Sequence, residues 1–307
     1  MYRCLFTILS FLIMVNLSAQ KIEKVFLDKS DTTRNCYMII YPDTLLWKGY
    51  LCLVPGFGET AEDVLLQTAL PLETAKRGIL TIIPTFQEGV SSFGFDSLSQ
   101  QAFKRIIKDV TSKHELQNLE YYLGGFSMGG ATVIKFAETV IKKPKAIFAI
   151  DSPLDFERFY NSTKRDIMLL GKGESDEENI YLYLLSRIEQ IMGGTPQTAL
   201  ENYHRISPYS LSDTTQSAIK NLVNIPIRVY IEPDIQWWLN ERGTDVLGLN
   251  ILDCSALINE LNKLGNQNAV LIITQNKGFR RPEHKRHPHS WSIVDNNELI
   301  DWLLSPY

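Results

Sequence analysis

The stretch YYLGGFSMGG, residues 121–130, decides the fold. It begins as a short apolar strand over 121–124, and helical spacing of apolar residues follows over 128–141. Between the two, the residues Gly125-Phe126-Ser127-Met128-Gly129 fit the pattern G-x-S-x-G. A serine on so sharp a strand-to-helix turn needs glycines two positions away on each side, because larger side chains would collide. The pattern predicts that the Ser127 hydroxyl projects from the sheet as a nucleophile.

Apolar runs alternate with helical patterns along the chain on both sides of this turn. Strands are predicted at 50–54, 79–83, 121–124, 146–150, 227–231 and 269–274, and helices at 61–76, 98–113, 128–141, 254–264 and 298–304. Continuous apolar strands that alternate with helices indicate a parallel sheet covered on both faces. The segments 21–27 and 35–41 alternate more in polarity, and they predict an antiparallel edge. The fold class is therefore α/β.

Residues 152–213 interrupt this alternation. The segment is polar and aromatic, with one clear amphipathic helix around 180–191. A plain loop of about sixty residues inside a compact domain would be unusual. We therefore predict a helical cap over one end of the sheet, inserted into a single domain of residues 21–307.

The first twenty residues are typical of a secretory signal peptide. Arg3 supplies a positive charge, residues 5–15 are almost wholly apolar, and Ala19 offers a small residue for cleavage. The apolar run is only about half of the roughly twenty residues that a membrane-spanning helix needs. A signal peptide is thus favoured over an anchor. The sequence predicts a secreted or periplasmic protein without stable membrane insertion after cleavage.

Charge and cysteine content narrow the classes of partner. The net charge of −4 argues against a nucleic-acid partner, whose binding surface requires a basic excess. Beyond the leader the chain keeps Cys36, Cys52 and Cys254, which allow at most one disulfide and show no metal-ligand spacing. We expect no metal ion and no organic cofactor.

A nucleophilic serine needs a base and donors for the oxyanion. The base is predicted to be His289, which lies about fifteen residues after the last strand and before the closing helix. His284 and His287 are interpreted as parts of a solvated basic loop, and a metal site made of the three histidines is the less favoured alternative. The predicted oxyanion donors are the N–H of Met128 and an N–H of the loop after strand 50–54, from Phe57 first and Gly58 second.

A carboxylate must orient the histidine. Asp234 is the first candidate and Glu232 the second, because both follow strand 227–231 directly. Asp151, which follows strand 146–150, is the third candidate. Trp237 and Trp238 come next in the chain, and they either shape an acyl or sugar pocket or pack in the core.

In these motifs the chain resembles the α/β-hydrolase superfamily. The resemblance covers Gly56-Phe57-Gly58, the Gly125–Gly129 turn, an acid after Ile231 and His289, in the superfamily's order of serine, acid and histidine. It implies acyl transfer to water through an acyl-enzyme. The segment Pro288-His289-Ser290-Trp291 is similar to the ending of secreted esterases related to carbohydrate esterases and dienelactone hydrolases. The chain departs from many members in having Pro55-Gly56 where they have His-Gly.

The expected function is that of a carboxylesterase acting on a small or carbohydrate-linked ester. Two alternatives remain at this point. A peptidase or acyltransferase would use the same triad with a different pocket, and a non-catalytic binding protein would keep the fold alone.

Overall fold

The computed structural model describes residues 20–170 and 176–306. The predicted signal peptide, residues 1–20, lies outside the described residues except for Gln20. Within the described part, an eight-stranded sheet has the order β1-β2-β4-β3-β5-β6-β7-β8. Its strands are β1 (Ile22–Phe26), β2 (Cys36–Ile40), β3 (Gly49–Val54), β4 (Ile79–Thr85), β5 (Glu120–Phe126), β6 (Ala146–Ile150), β7 (Ile227–Ile231) and β8 (Ala269–Ile273).

Strands β3 to β8 run parallel, whereas β1 and β2 form an antiparallel edge. Ten helices accompany the strands in the described residues: α1 (Ala61–Gln67), α2 (Leu70–Lys76), α3 (Ser97–Lys113), α4 (Met128–Thr139), α5 (Phe156–Leu170), α6 (Asp176–Met192), α7 (Pro196–Ile206), α8 (Ile235–Arg242), α9 (Ile251–Lys263) and α10 (Asn296–Leu304). The predicted α/β class, with a mostly parallel sheet and an antiparallel edge, is confirmed.

Both faces of the sheet are buried along its inner strands, whereas β1 and β8 at its edges are partly exposed. Leu123 of β5 points into a core that contains Phe103 of α3 and Leu257 of α9. Its neighbour Tyr122 points the other way, into a core that contains Leu299 of α10. Successive side chains of a strand face opposite sides of the sheet, so an unbroken apolar strand fills both cores.

The helix predicted over 61–76 is two helices in the structure. α1 ends before Thr68, whose hydroxyl accepts a hydrogen bond from the N–H of Leu70 at 3.1 Å. Pro71 then lies in the first turn of α2. Proline lacks an N–H and clashes with the preceding turn, so one helix cannot run through this position.

Helices α5, α6 and α7 occupy the inserted segment between β6 and β7. The start of α5 is fixed to α9 by the buried carboxylate of Asp253, which accepts bonds from the N–H groups of Leu154 and Asp155 at 3.0 and 3.1 Å. Arg158 of α5 binds the same carboxylate through two nitrogens, at 2.7 and 2.6 Å. Such two-pronged pairs fix orientation as well as distance. The insertion is thus held to the sheet domain at its first turn.

In the described part of the chain, Cys36, Cys52 and Cys254 are buried and unpaired. No helix among these residues has both the length and the apolar character needed to cross a membrane.

Candidate active site

Ser127 lies at the turn between β5 and α4, with φ 53° and ψ −123°. A positive φ is strained for any residue other than glycine, and such strain concentrates at functional sites. The conformation is held by the bond from the Ser127 N–H to the carbonyl of Ile150, at 2.8 Å, and by the bond that the Ser127 carbonyl accepts from Gly130 N–H. The turn therefore fixes the serine at the carboxyl edge of the parallel sheet.

Close backbone approach explains the two glycines of the pattern. A Cβ on Gly125 would lie 2.3 Å from the carbonyl group of Gly129, and a Cβ on Gly129 would lie 2.2 Å from the carbonyl oxygen of Val54. Neither separation is sterically possible. The glycines let α4 start directly against the ends of β3 and β5, with its N-terminal N–H groups beside the serine.

His289 is paired with Asp151. The Nδ1 of His289 lies 2.9 Å from Oδ2 of Asp151, and this carboxylate belongs to a residue that is 4% exposed. Asp151 follows β6 directly, just as Ser127 follows β5, and Phe126 and Ile150 are partners in the register of these neighbouring strands. With Nδ1 engaged by the carboxylate, Nε2 is the nitrogen left for the serine. Ser127 and His289 border the same cavity.

Asn250 holds the other oxygen of this carboxylate. Its side-chain amide donates to Oδ1 and to the backbone carbonyl of Asp151, both at 3.0 Å. Asp151 itself has a positive φ of 44°. The amide thus fixes a strained residue in the rotamer that faces His289. No local sequence pattern marks Asn250, because its contact with Asp151 spans 99 residues.

Replacing Asn250 by alanine is expected to lower kcat for an activated ester roughly 10- to 100-fold, because misplacing a reacting group by about 1 Å costs up to that much. KM should change little, since Asn250 acts through Asp151. Steady-state kinetics on a 4-nitrophenyl ester measure both. Asn240→Ala, on the exposed side of α8, serves as the control, and an unchanged kcat in Asn250→Ala would contradict the assigned role.

Asp234 and Glu232 perform a different task from the one predicted. Asp234 accepts from the N–H of Trp237 at 3.1 Å, which caps α8, and its second oxygen binds Arg286 at 2.7 Å. Glu232 is buried, binds Arg286 at 2.5 Å and accepts from the N–H groups of Lys277 and Gly278. Both carboxylates neutralise Arg286. The choice of Asp234 is therefore corrected: Asp151, the third candidate, is the carboxylate that contacts His289.

The loop after β3 presents one free N–H to the serine. Gly58, the second predicted donor, gives its N–H to the carbonyl of Val90 at 2.9 Å, and Gly56 gives its N–H to the carboxylate of Glu59 at 2.8 Å. In the part of the chain that the structure describes, the N–H groups of Phe57 and Met128 have no acceptor. Both residues line the cavity at Ser127. This arrangement supports Phe57 over Gly58 as a donor to an oxyanion.

Glu59 links this loop to the loop that carries His289. Besides Gly56, its carboxylate accepts from Nε1 of Trp291, with both oxygens 3.2 Å away. Burial raises the pKa of Glu59. Trp291 in turn packs on the ring of Phe126, 5.2 Å between centroids, as His289 does at 4.5 Å. The Glu59 side chain thus joins the loop after β3 to the loop that carries His289.

Replacing Glu59 by alanine leaves the donors of Gly56 and Trp291 without an acceptor. An unsatisfied buried donor costs about 1–3 kcal/mol, and we expect a loss of that size in the free energy of unfolding, measured by urea denaturation. We also expect kcat for an activated ester to fall, because the Phe57 N–H loses its support. Glu62→Ala, which removes an exposed carboxylate from α1, is the matched control. Equal effects of the two substitutions on stability and on kcat would disprove that Glu59 joins the two loops.

Two cavities meet at the serine. The first, of about 310 Å³, lies under the inserted helices and is bordered by apolar and aromatic side chains, among them Phe159, Tyr181, Leu184 and Trp238. The second, of about 290 Å³, is polar and is bordered by Glu59, Gln67, Arg280 and Trp291. Ser127, Phe57 and His289 border both. Of the two predicted tryptophans, Trp238 borders the cavity at Ser127, whereas Trp237 borders neither of the two cavities.

The other two histidines of the segment lie outside this cluster. His284 stacks on Phe279, with parallel rings 4.4 Å apart. His287 is buried beside Trp237 and Trp238, so the interpretation of this residue as solvated was wrong. Burial lowers the pKa of His287 to about 2, and nearby positive charges add to that effect. Among residues 20–170 and 176–306, no three His, Cys, Asp or Glu side chains are grouped so that they could hold a metal ion.

Solved structures share this architecture. The fluorophosphonate-binding serine hydrolase F of Staphylococcus aureus superposes with a TM-score of 0.54 at 15% identity, over 94% of this chain and 99% of its own. An S-formylglutathione hydrolase from Agrobacterium tumefaciens gives 0.56 at 12% identity, over 92% and 94%. The chain has the α/β-hydrolase fold. An acylaminoacyl peptidase of Pyrococcus horikoshii gives 0.52 at 13% identity, over 87% of this chain but only 38% of the peptidase.

No protein-family model matches the sequence, and no curated protein matches it either. At identities of 12 to 15%, the likeness to the solved structures establishes the fold and leaves the reaction to be argued from the site.

Proposed function

We propose that the protein is a serine hydrolase that cleaves carboxylic esters through a Ser127–His289–Asp151 triad. The observation that carries the proposal is the 2.9 Å contact between His289 and Asp151 at the edge of the sheet where the strained turn presents Ser127. A structural role alone would not require a strained serine, an oriented imidazole and unpaired N–H groups around one cavity.

In the proposed reaction, Nε2 of His289 takes the proton of the Ser127 hydroxyl as its oxygen attacks the ester carbonyl. The N–H groups of Phe57 and Met128 stabilise the oxyanion, and the N-terminus of α4 adds its favourable field. Asp151 keeps His289 in the tautomer with its proton on Nδ1 and stabilises the imidazolium that forms. His289 then protonates the departing alcohol, and a water molecule repeats the sequence on the acyl-enzyme.

The cavities favour a small or carbohydrate-linked ester as the substrate. The cavity under α5 and α6 measures about 310 Å³, at the small end of the range for small-molecule sites. Aromatic walls such as Tyr181 and Trp238 suit the flat or apolar face of an acyl group or sugar ring. The leader pattern of residues 1–20 is the basis for proposing a secreted or periplasmic setting.

Labelling with a fluorophosphonate probe tests the proposal. The purified protein should react covalently, and mass spectrometry of the digested adduct should place the phosphonyl group on Ser127. A panel of 4-nitrophenyl esters, aminoacyl 4-nitroanilides and alternative acyl acceptors then separates esterase, peptidase and acyltransferase activity. Folded protein that takes up no probe would favour a binding protein and refute the proposed triad.

A further inference from the structure

A hairpin beside the active site carries an unusual density of positive charge. Strands β9 (Phe279–Arg280) and β10 (Lys285–Arg286) pair antiparallel, and four cations with a single carboxylate occupy residues 280–286. This cluster lies on a chain whose net charge is −4. The hairpin is therefore a local positive surface on an acidic protein.

The register of the hairpin opposes like charges. Arg280 and Lys285 are direct cross-strand partners, an arrangement that destabilises a strand pair unless something neutralises it. Arg286 is neutralised by Glu232 and Asp234, as described above. Among the described residues, Arg280, Arg281 and Lys285 make no ion pair. Within the described part of the chain, one cation of the hairpin is thus paired with carboxylates, and the other three make no ion pair.

These cations border a cavity of about 470 Å³ between the hairpin and α8. We call it the basic pocket, and its cationic lining is Arg242, Arg280, Arg281, Lys285 and Arg286. Among the described residues, two carboxylates, Glu241 and Glu283, share the lining. Trp237 forms a wall, and His287 borders the pocket with an Nδ1 that is buried and has no partner in the described chain. The chemistry of this lining suits an anion that also has an apolar face.

Arg280 connects the basic pocket to the serine. It borders both this pocket and the polar cavity that contains Ser127 and His289. Its Nε and Nη2 donate to the backbone carbonyl of His289, at 3.2 and 3.0 Å. Arg280 thus places the basic pocket directly beside the cavity that contains Ser127.

We propose that the basic pocket binds an anionic group of the substrate itself, so that the preferred ester carries a carboxylate, sulfate or phosphate at its far end. This inference rests on the proposed function. Guanidinium groups bind such oxyanions through two parallel hydrogen bonds, which fixes the direction of the substrate as well as its affinity. A free inorganic anion would make the same hydrogen bonds, and the experiment distinguishes it from an anionic group of the substrate.

Matched ester pairs provide the test. One pair is 4-acetoxybenzoate and its methyl ester, which differ in a charge on the alcohol side. Two further pairs are the mono-4-nitrophenyl esters of a short and of a long dicarboxylic acid, each with its methyl ester, which differ in a charge on the acyl side. We expect kcat/KM of the charged member to exceed that of the neutral member about tenfold in at least one pair at low salt, and the preference to shrink as salt screens the charges.

The double variant Arg281→Gln/Lys285→Gln should reduce that preference to about twofold or less. Lys29→Gln/Lys48→Gln removes two exposed cations that border neither the cavities at Ser127 nor the basic pocket, keeps the same net charge as the first variant, and should retain the preference. Equal rates for charged and neutral esters in the wild type, or a preference that survives the double variant, would overturn the inference.

Inorganic phosphate tests whether the basic pocket binds a free anion instead of an anionic group of the substrate. Binding of phosphate to Ser127→Ala is measured by calorimetry. If phosphate binds but the wild type shows no preference among the esters, the basic pocket is a site for a free anion, and the claim about the substrate is overturned. Hydrolysis of neutral esters without a preference leaves the triad intact and refutes only this inference. A protein that neither hydrolyses any ester nor reacts with a fluorophosphonate would refute the proposed function instead.

Discussion

Replacing Ser127 by alanine is expected to lower kcat/KM for a 4-nitrophenyl ester by about 10⁴-fold or more and to abolish fluorophosphonate labelling. The physical reason is that covalent catalysis has no substitute in the site once the attacking oxygen is gone. Residual rate acceleration would come only from the oxyanion donors and substrate binding. The fold should survive, because the Ser127 backbone, rather than its hydroxyl, makes the bonds to Ile150 and Gly130.

Ser97→Ala is the control for this prediction. Ser97 is an exposed serine at the start of α3, and its loss should change neither labelling nor rate. Far-ultraviolet circular dichroism and the thermal midpoint establish that both variants are folded. If Ser127→Ala kept a tenth or more of the wild-type activity, a different residue would have to be the nucleophile.

The second large effect is expected for Asp151→Asn, with a loss of about 10³- to 10⁴-fold in kcat/KM. An asparagine keeps the shape of the side chain but presents an amide to Nδ1 of His289, which favours the wrong tautomer and removes the charge that stabilises the imidazolium. Asn250 adds to the effect, because its amide now faces a neutral group in place of a carboxylate oxygen.

Asp234→Asn is the matched comparison, since it makes the same chemical change at the carboxylate first expected from the sequence. Asparagine still caps α8, and Glu232 still neutralises Arg286. We therefore expect less than about a fivefold change in rate, because the cap and the charge balance of Arg286 are both kept. A larger loss in Asp234→Asn than in Asp151→Asn would mean that Asp234 is the acid of the triad, and it would refute the assignment of that role to Asp151.

Local constraints explain which parts of the site the sequence could predict. Ser127 is recognisable because its turn imposes glycines within a window of five residues, and the structure shows the contacts that require them. The break between α1 and α2 was also predictable from the sequence, because Pro71 is a local signal against a continuous helix. His289 was found from its position near the end of the chain, which in this fold leads back to the sheet edge.

The identity of the acid depends on contacts between distant segments. Asp151, Glu232 and Asp234 all follow a parallel strand, so each reaches the same edge of the sheet. Which of them meets His289 depends on where the hairpin and Arg286 lie, and no local pattern encodes that. The same holds for the tryptophans: successive residues of α8 differ by about 100° around the helix axis, so Trp237 and Trp238 face different cavities.

The bond between Glu59 and Trp291 has a consequence for when the protein becomes active. It joins residues that are 232 positions apart, and through it the oxyanion loop near the start of the domain is supported by the loop that carries the base near its end. A chain still being synthesised can form β3 and the Ser127 turn long before it contains His289. In the proposed mechanism, acyl transfer would therefore start only when the last part of the chain has folded against the first, and an unfinished chain would be inactive.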